Sequence, residues 1–386
     1  MKRNIAVIFG GQSAEHDVSI ITAHIPIIDS LRIGGQFKVF PIYIAKDGAW
    51  YSQDDFNDLA FFQKPGWEEI VAKTKPIQLS FNEGLEIIWP GFRSKKQKLD
   101  IVFPALHGTF GEDGSLMGLL RMAKVPFVGC DLFASAVAMD KVLTKQVLSS
   151  EGIRTVPFVW FTHSGWTEHK ADYEKKIVEL EFPLFVKPVH LGSSIGISKV
   201  KTITELSNAI EVAFHYDDKV LVERSIENLI EVTLPIMGNE ELQLGEVERP
   251  LNRTELFSFS DKYLSGGKND QGVNSTYSEI PAKINPELGE EVRVLGQRVY
   301  RILGCSGIAR IDFLIDSNNQ NVYVNEVNTL PGSLYHHNWR KAGISNVDLV
   351  NRLVNLAEER FKSQHNITHV FSSEILNKVG GAKTSK

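Results

Sequence analysis

Cysteine is nearly absent. Cys130 and Cys305 are the two in 386 residues, and their placement suits neither a metal site nor a disulfide framework. Long apolar runs are missing as well: no stretch approaches the about 18 residues of a transmembrane helix. The apolar start at residues 5–9 stops at Gly10-Gly11, too short for the core of a signal peptide. A basic surplus is also lacking; the net charge of −5 excludes a sequence-independent nucleic-acid binder. Together these absences lead us to expect a cytoplasmic protein without membrane or nucleic-acid partners. What remains is an ordinary globular composition, 42% hydrophobic and 23% charged, at a length that suggests two or three domains.

Residues 5–9, 39–44 and 101–105 are short, apolar and rich in branched side chains, as parallel strands are. Helical periodicity lies between them, including 18–31, interrupted by Pro26. This βαβ order predicts an open, doubly wound sheet. Residues 51–98 are more polar and carry no assignment; RSKKQK at 93–98 reads as a solvated surface loop. Asp131 is placed to cap a helix that runs to Gly152. Strands follow at 158–161, 183–186 and 220–223, with a helix at 203–214. A polar loop at 258–274 precedes a helix at 287–303, strands at 308–315 and 321–327, and a last helix at 347–363. The tail from Asn377 is expected to be disordered.

Chemistry first shows in FPLFVKPVHLGSSIGI, residues 182–197, where a core strand ends on Lys187 beside a Gly/Ser loop. Backbone N–H groups and hydroxyls of such a loop, with an ammonium, suit a phosphate. A lysine snorkelling at a strand end reads equally well in isolation. Lys141, in AMDKVLTK, can bracket the same polyphosphate or simply belong to a polar helix face. Glu223 and Glu231, in VLVERSIENLIEV, can accept from an adenine amino group and ribose hydroxyls, or face solvent.

GIARIDFLIDSNNQNVYVNEVNTLPGS holds two strands around a polar turn. A turn centred on Asn319 sets Asp312 opposite Glu326 and Arg310 opposite Asn328, with Val324, Glu326 and Asn328 on one face. An oxygen-only set of Asp312, Glu326 and Asn328 suits Mg²⁺; Arg310 bridging both acids in a structural salt bridge is the alternative.

With these motifs go GGQSAEHDVS (10–19), HGTFGEDGSLMG (107–118), DKYLSGG (261–267) and VNEVNTLPG (324–332). In this order they resemble the ATP-grasp enzymes, specifically the D-alanine:D-alanine ligases, over roughly residues 4–360. The resemblance implies an α/β and α+β architecture: a Rossmann-like N-terminal domain (1–129), then a two-lobed ATP-grasp fold with a central lobe (130–219), a C-terminal lobe with the metal site (220–365) and a tail (366–386). It implies ATP-dependent joining of two D-alanines through a D-alanyl phosphate for peptidoglycan synthesis, two Mg²⁺ (or Mn²⁺), and a homodimer. Lys141, Lys187, Ser194 and Lys262 would meet the nucleotide, and Glu223 and Glu231 its adenine and ribose. Asp312, Glu326 and Asn328 would hold metal. Glu15 would hold the first ammonium near His107, with Ser193 and Tyr263 linking Glu15 to a closing loop. Arg310, with backbone N–H from the Gly332 region, would stabilise the oxyanion.

Taken alone, Glu15 is also a good helix-start acid, His107 a good core histidine and Tyr263 a good packing residue. His16 reads as a surface residue. The sequence departs from the family after NTLPG: Leu334 stands for a threonine, and His337 for the serine that contacts the second substrate's carboxylate. Ile230 stands where an arginine often precedes the ribose glutamate. A sibling ligase using D-serine, D-lactate or another acceptor is therefore the first alternative. A non-catalytic nucleotide module lacks support because the metal acids and Arg310 are present. An NAD(P) oxidoreductase lacks the G-x-G-x-x-G spacing.

Overall fold

The first strand, Arg3–Gly10, is the centre of a parallel sheet because every side chain from Ile5 to Phe9 is driven out of water; none is more than 1% exposed. It pairs in parallel with Phe37–Ile44 on one side and Ile101–Pro104 on the other, and the short Trp50–Tyr51 strand closes the edge. The structure, a computed structural model, describes residues 2–82, 84–251, 278–368, 370–373 and 375. Among these, no helix is long and apolar enough to cross a membrane. The 258–274 loop and the tail from Asn377 lie outside the described residues.

The helix after the first strand passes through the proline rather than ending there. His16–Thr22 and Asp29–Gly34 are α-helical and Ala23–Ile28, containing Pro26, is a π-helical stretch. Proline lacks the N–H that would close an α-turn, and the wider turn accommodates it.

The 93–98 stretch is not a loop. Lys95–Lys98 is an edge strand pairing with Glu86–Trp89, which pairs with Gln78–Ser80. Its lysines do stay in solvent, while Leu85, Ile87 and Leu99 bury the other side of this small sheet. Nor is the segment after Asp131 one helix. Leu132–Met139 and Lys141–Ser150 are separated at Asp140, whose extended backbone ends one and whose carboxylate accepts from the N–H groups of Val142 and Leu143, both at 2.9 Å, to start the next.

Two antiparallel four-stranded sheets carry the rest. One runs Ser198–Val200, Leu184–Pro188, Lys219–Arg224, Phe158–Thr162, covered by the Ile203–Phe214 helix. The other runs Leu242–Leu244, Leu229–Gly238, Gly307–Asp316, Asn321–Asn328, covered by Pro286–Ile302. The last helix, Asn346–His365, turns back and packs Leu349, Val350 and Leu353 into the core around the first parallel sheet. Cys130 and Cys305 are free, buried and hydrogen-bonded to each other.

Candidate active site

In the Gly307–Asp316 strand, Ala309, Ile311, Phe313 and Ile315 are fully buried toward the covering helix, so Arg310 and Asp312 point to the opposite face. The partner strand sets Asn328 opposite Arg310 and Glu326 opposite Asp312, the expected pairs, but the turn is not centred on Asn319: Asp316 lies opposite Asn321, and an irregularity next to Asp312 supplies the one-residue offset. Beyond Asp312 the pairing slips by one at a β-bulge. The slip turns Val324 into the core at 1% exposure, away from the face it was expected to share with Glu326 and Asn328. On the other flank Thr233 lies opposite Asp312 and Glu231 opposite Leu314, so Glu231 joins the polar face while Ile230 packs on the core.

Arg310 grips Asp312 with two hydrogen bonds, 2.7 Å from Nε and 2.6 Å from an Nη, and the Asn328 amide donates to the same carboxylate at 3.2 Å. Burial works against the guanidinium's charge, but Asp312 overrides it and the proton is held well above the ordinary range. Asp312 and Glu326 with the Asn328 side-chain oxygen form a hard, all-oxygen donor set that fits a divalent cation such as Mg²⁺. Beside them is a cavity of about 40 Å³ lined by Glu112, Lys141, Gly192, Glu326 and Asn328 among others. Burial first, then the charge of Glu15 and, more weakly, Glu326, push the Glu112 carboxyl up to about 8.

Lys141 lines this cavity, and Lys187 stands on the Leu184–Pro188 strand. Lys141 opens its helix, and its Nζ donates to the carbonyls of Val189 and Leu191 at 3.3 and 2.5 Å. Burial lowers its proton affinity. Lys187 alternates with buried Leu184, Val186 and Pro188, which turns it to the other side of the strand, where it pairs with Glu223. Glu223 is 1% exposed, and its second oxygen meets Lys145 at 2.9 Å. Burial alone would raise the Glu223 carboxyl, but the two ammonium groups hold it down to about 2. Glu223 is thus a buried counter-charge as well as a candidate adenine acceptor. Lys145 escaped the sequence reading, although it lies one helical turn beyond Lys141.

The donor end joins distant segments. Ser193, left-handed at φ 53° in a loop with Ser194 at 58°, donates its hydroxyl to Glu15, 178 residues away. Glu15 is 7% exposed, and it fits between two glycines: a Cβ on Gly108 would come within 3.1 Å of its Oε2, and one on Gly192 within 3.5 Å. His107 is buried and hydrogen-bonds through Nε2 to Thr22 Oγ1 at 2.8 Å; burial lowers its proton affinity. Thr22 also accepts from the Ser333 N–H at 2.9 Å, and the Leu334 N–H bonds to Pro331. Two N–H groups beside Gly332 are therefore taken. Ser333, Leu334 and Tyr335 all have positive φ, 49–53°, a run that non-glycine residues adopt only when surroundings impose it.

His16 is no surface residue: it is 2% exposed and bonds to Gly11 O and the Tyr43 hydroxyl. His337 bonds to Glu248, a partner 89 residues away that no local motif announces. His190, Asp217 and Asp218 are close enough for a metal, yet the ring nitrogens of His190 already bond to Asp217 and Asp140, and Lys219 completes an ion-pair cluster beside Lys141. Lys262 and Tyr263 lie outside the described residues.

Comparison with known proteins matches residues 4–130 to the family described as D-ala D-ala ligase N-terminus and 147–355 to D-ala D-ala ligase C-terminus. The chain is 35% identical over 363 residues to a D-alanine–D-alanine ligase of Thermosipho africanus, covering 94% of this chain and 95% of that one. It is likewise 35% identical over 364 residues to D-alanine–D-alanine ligase A of Escherichia coli K12, covering 93% and 96%. Among solved structures it resembles the D-alanine-D-alanine ligase from Coxiella burnetii, at 30% identity and TM-score 0.78 over 94% of this chain and 96% of that one. It also resembles the VanG D-Ala:D-Ser ligase from Enterococcus faecalis, at 32% identity and TM-score 0.76 over 92% and 100%.

Proposed function

Because the chain belongs to the D-alanine–D-alanine ligase family of ATP-grasp enzymes, we propose that it makes D-alanyl-D-alanine from two D-alanines and ATP, for peptidoglycan precursors. Glu15 binds the ammonium of the first D-alanine, with His107 beside it. A carboxylate oxygen of that D-alanine attacks the γ-phosphorus of ATP; ADP leaves and an acyl phosphate remains. Lys141, Lys187, Ser194 and Lys262 bind the phosphates, and Glu223 and Glu231 the adenine and ribose. Asp312, Glu326 and Asn328 would hold divalent metal, which when bound would supply positive charge to the transferring phosphoryl group. The amine of the second D-alanine then attacks the acyl carbon. Arg310, with the Gly332 N–H, stabilises the tetrahedral oxyanion, and collapse breaks the C–O bond to phosphate, which leaves as the amine sheds its proton. Ser193 and Tyr263 tie Glu15 to the closing segment.

The observation that supports this most is the Ser193–Glu15 bond, which brings the N-terminal segment to the lysine loop. The proposed organisation is a substrate domain at 1–129, lobes at 130–219 and 220–365, and a tail at 366–386, assembled as a cytoplasmic homodimer. The similarity to a D-Ala:D-Ser ligase, with His337 in place of the family serine, favours D-serine as the second reading. ADP release with D-alanine alone, then with D-serine or D-lactate added, decides between them. We expect turnover with D-alanine alone; turnover only when a second acceptor is added would remove D-alanine as acceptor.

A further inference from the structure

Resting on that ligase reading, we propose that Glu248 is a positioning residue that holds His337 as the cationic anchor for the carboxylate of the second substrate. His337 follows the left-handed turn Ser333–Tyr335, and its Nε2 lies 3.0 Å from both oxygens of Glu248. Glu248 is 4% exposed, is bonded to the Asn338 amide at 3.0 Å and is fixed through its backbone to Thr233. A carboxylate so deep needs a counter-cation, and among the described residues His337 is the basic group bonded to it. Burial would raise the Glu248 carboxyl, but His337 and Asn338 keep it below the ordinary range.

The His337 side chain itself is 41% exposed, and its Nδ1 has no hydrogen-bond partner among the described residues. Its ring lies 4.5 Å from the Tyr335 ring, and the Arg310 guanidinium lies over that same ring at 5.2 Å. The Tyr335 hydroxyl bonds to Thr233 at 2.8 Å, which fixes the spacer. One tyrosine therefore separates the proposed oxyanion cation from the imidazole. An amino acid whose amine reacts beside Arg310 can offer its carboxylate to the next cation along. The neighbouring His336 ring, 6.3 Å away, does not compete: its Nδ1 bonds to the Ser333 carbonyl and burial lowers its proton affinity. A protonated imidazole donates one N–H to Glu248 and the other to the acceptor carboxylate.

The test compares wild type, Glu248→Gln, His337→Ala and the double variant. Hydroxylamine trapping reports the acyl phosphate, and appearance of the dipeptide reports its transfer to the acceptor amine. Glu248→Gln is expected to raise the acceptor KM roughly tenfold or more, the scale of one charge-assisted hydrogen bond, while trapping proceeds at the wild-type rate. His337→Ala is expected to raise the acceptor KM by a similar factor with trapping again unchanged, and the double variant to add nothing further, because both residues act through one contact. If Glu248→Gln does not fold, the split between acceptor KM and trapping in His337→Ala carries the test. Normal trapping with an unchanged acceptor KM in either folded variant, or additive effects in the double variant, overturns the inference alone. No acyl phosphate trapped from D-alanine in any protein would fail the ligase reading and the inference together.

Discussion

Glu326→Ala is expected to lower turnover by roughly 10²–10³-fold or more, the scale of removing one preorganised electrostatic contact from a transition state, and Lys187→Ala to do the same. Phosphoryl transfer asks the protein for positioning and charge neutralisation, so each loss strikes the reaction directly. The two variants should part company in stability. Glu326 repels Glu112 but attracts Lys141 and Arg310. Its removal loses both terms, so its thermal midpoint should move little while activity collapses. Lys187→Ala leaves Glu223 with Lys145 alone, so its midpoint should fall. Full activity in either variant, in steady-state ADP release with saturating substrates, would contradict the assignment of that residue.

Lys145→Met is expected to cost about 3 kcal/mol of stability, measured by denaturant unfolding. The substitution keeps most of the volume and removes the ammonium from a side chain 2% exposed. Glu223 then keeps one of two partners in a site where an unpaired carboxylate is costly. The effect also has a pH signature. Lys145 and Lys187 hold Glu223 at about 2, below its ordinary 4.5. A depressed carboxyl contributes stability above its unfolded value and loses it as pH falls, so in wild type the contribution fades between about 4.5 and about 2. In Lys145→Met that acid-side loss should be smaller. A variant as stable as wild type at neutral pH would show that the pair carries no net stability.

Local pattern made much of this legible. The strands at 5–9 and 308–315 and the helix at 203–214 follow from periodicity, and Asp312 does lie opposite Glu326, through a bulge rather than through a turn centred on Asn319. The bulge past Asp312 was not legible, because alternation in apolar Val322 and Val324 reads the same with or without a slipped residue. The Lys95–Lys98 strand is hard to read because its lysines outweigh the single buried row beside it, Ile87 and Leu99. The break at Asp140 hides in a sequence of strong helix formers, where only the cap geometry reveals it. Lys145, Glu112, Thr22 and Glu248 owe their roles to partners far along the chain, so nothing in their own neighbourhoods announces them. Family likeness supplied what spacing could not, and His337 stood out because it broke that likeness.

The central claim is that acids and lysines from separate sheets converge so that ATP activates a small carboxylate. The most direct measurement supplies D-alanine labelled with ¹⁸O in its carboxylate, with ATP and Mg²⁺, and weighs the phosphate released. An acyl phosphate route carries one labelled oxygen into phosphate for each dipeptide formed, and phosphate free of label would contradict it.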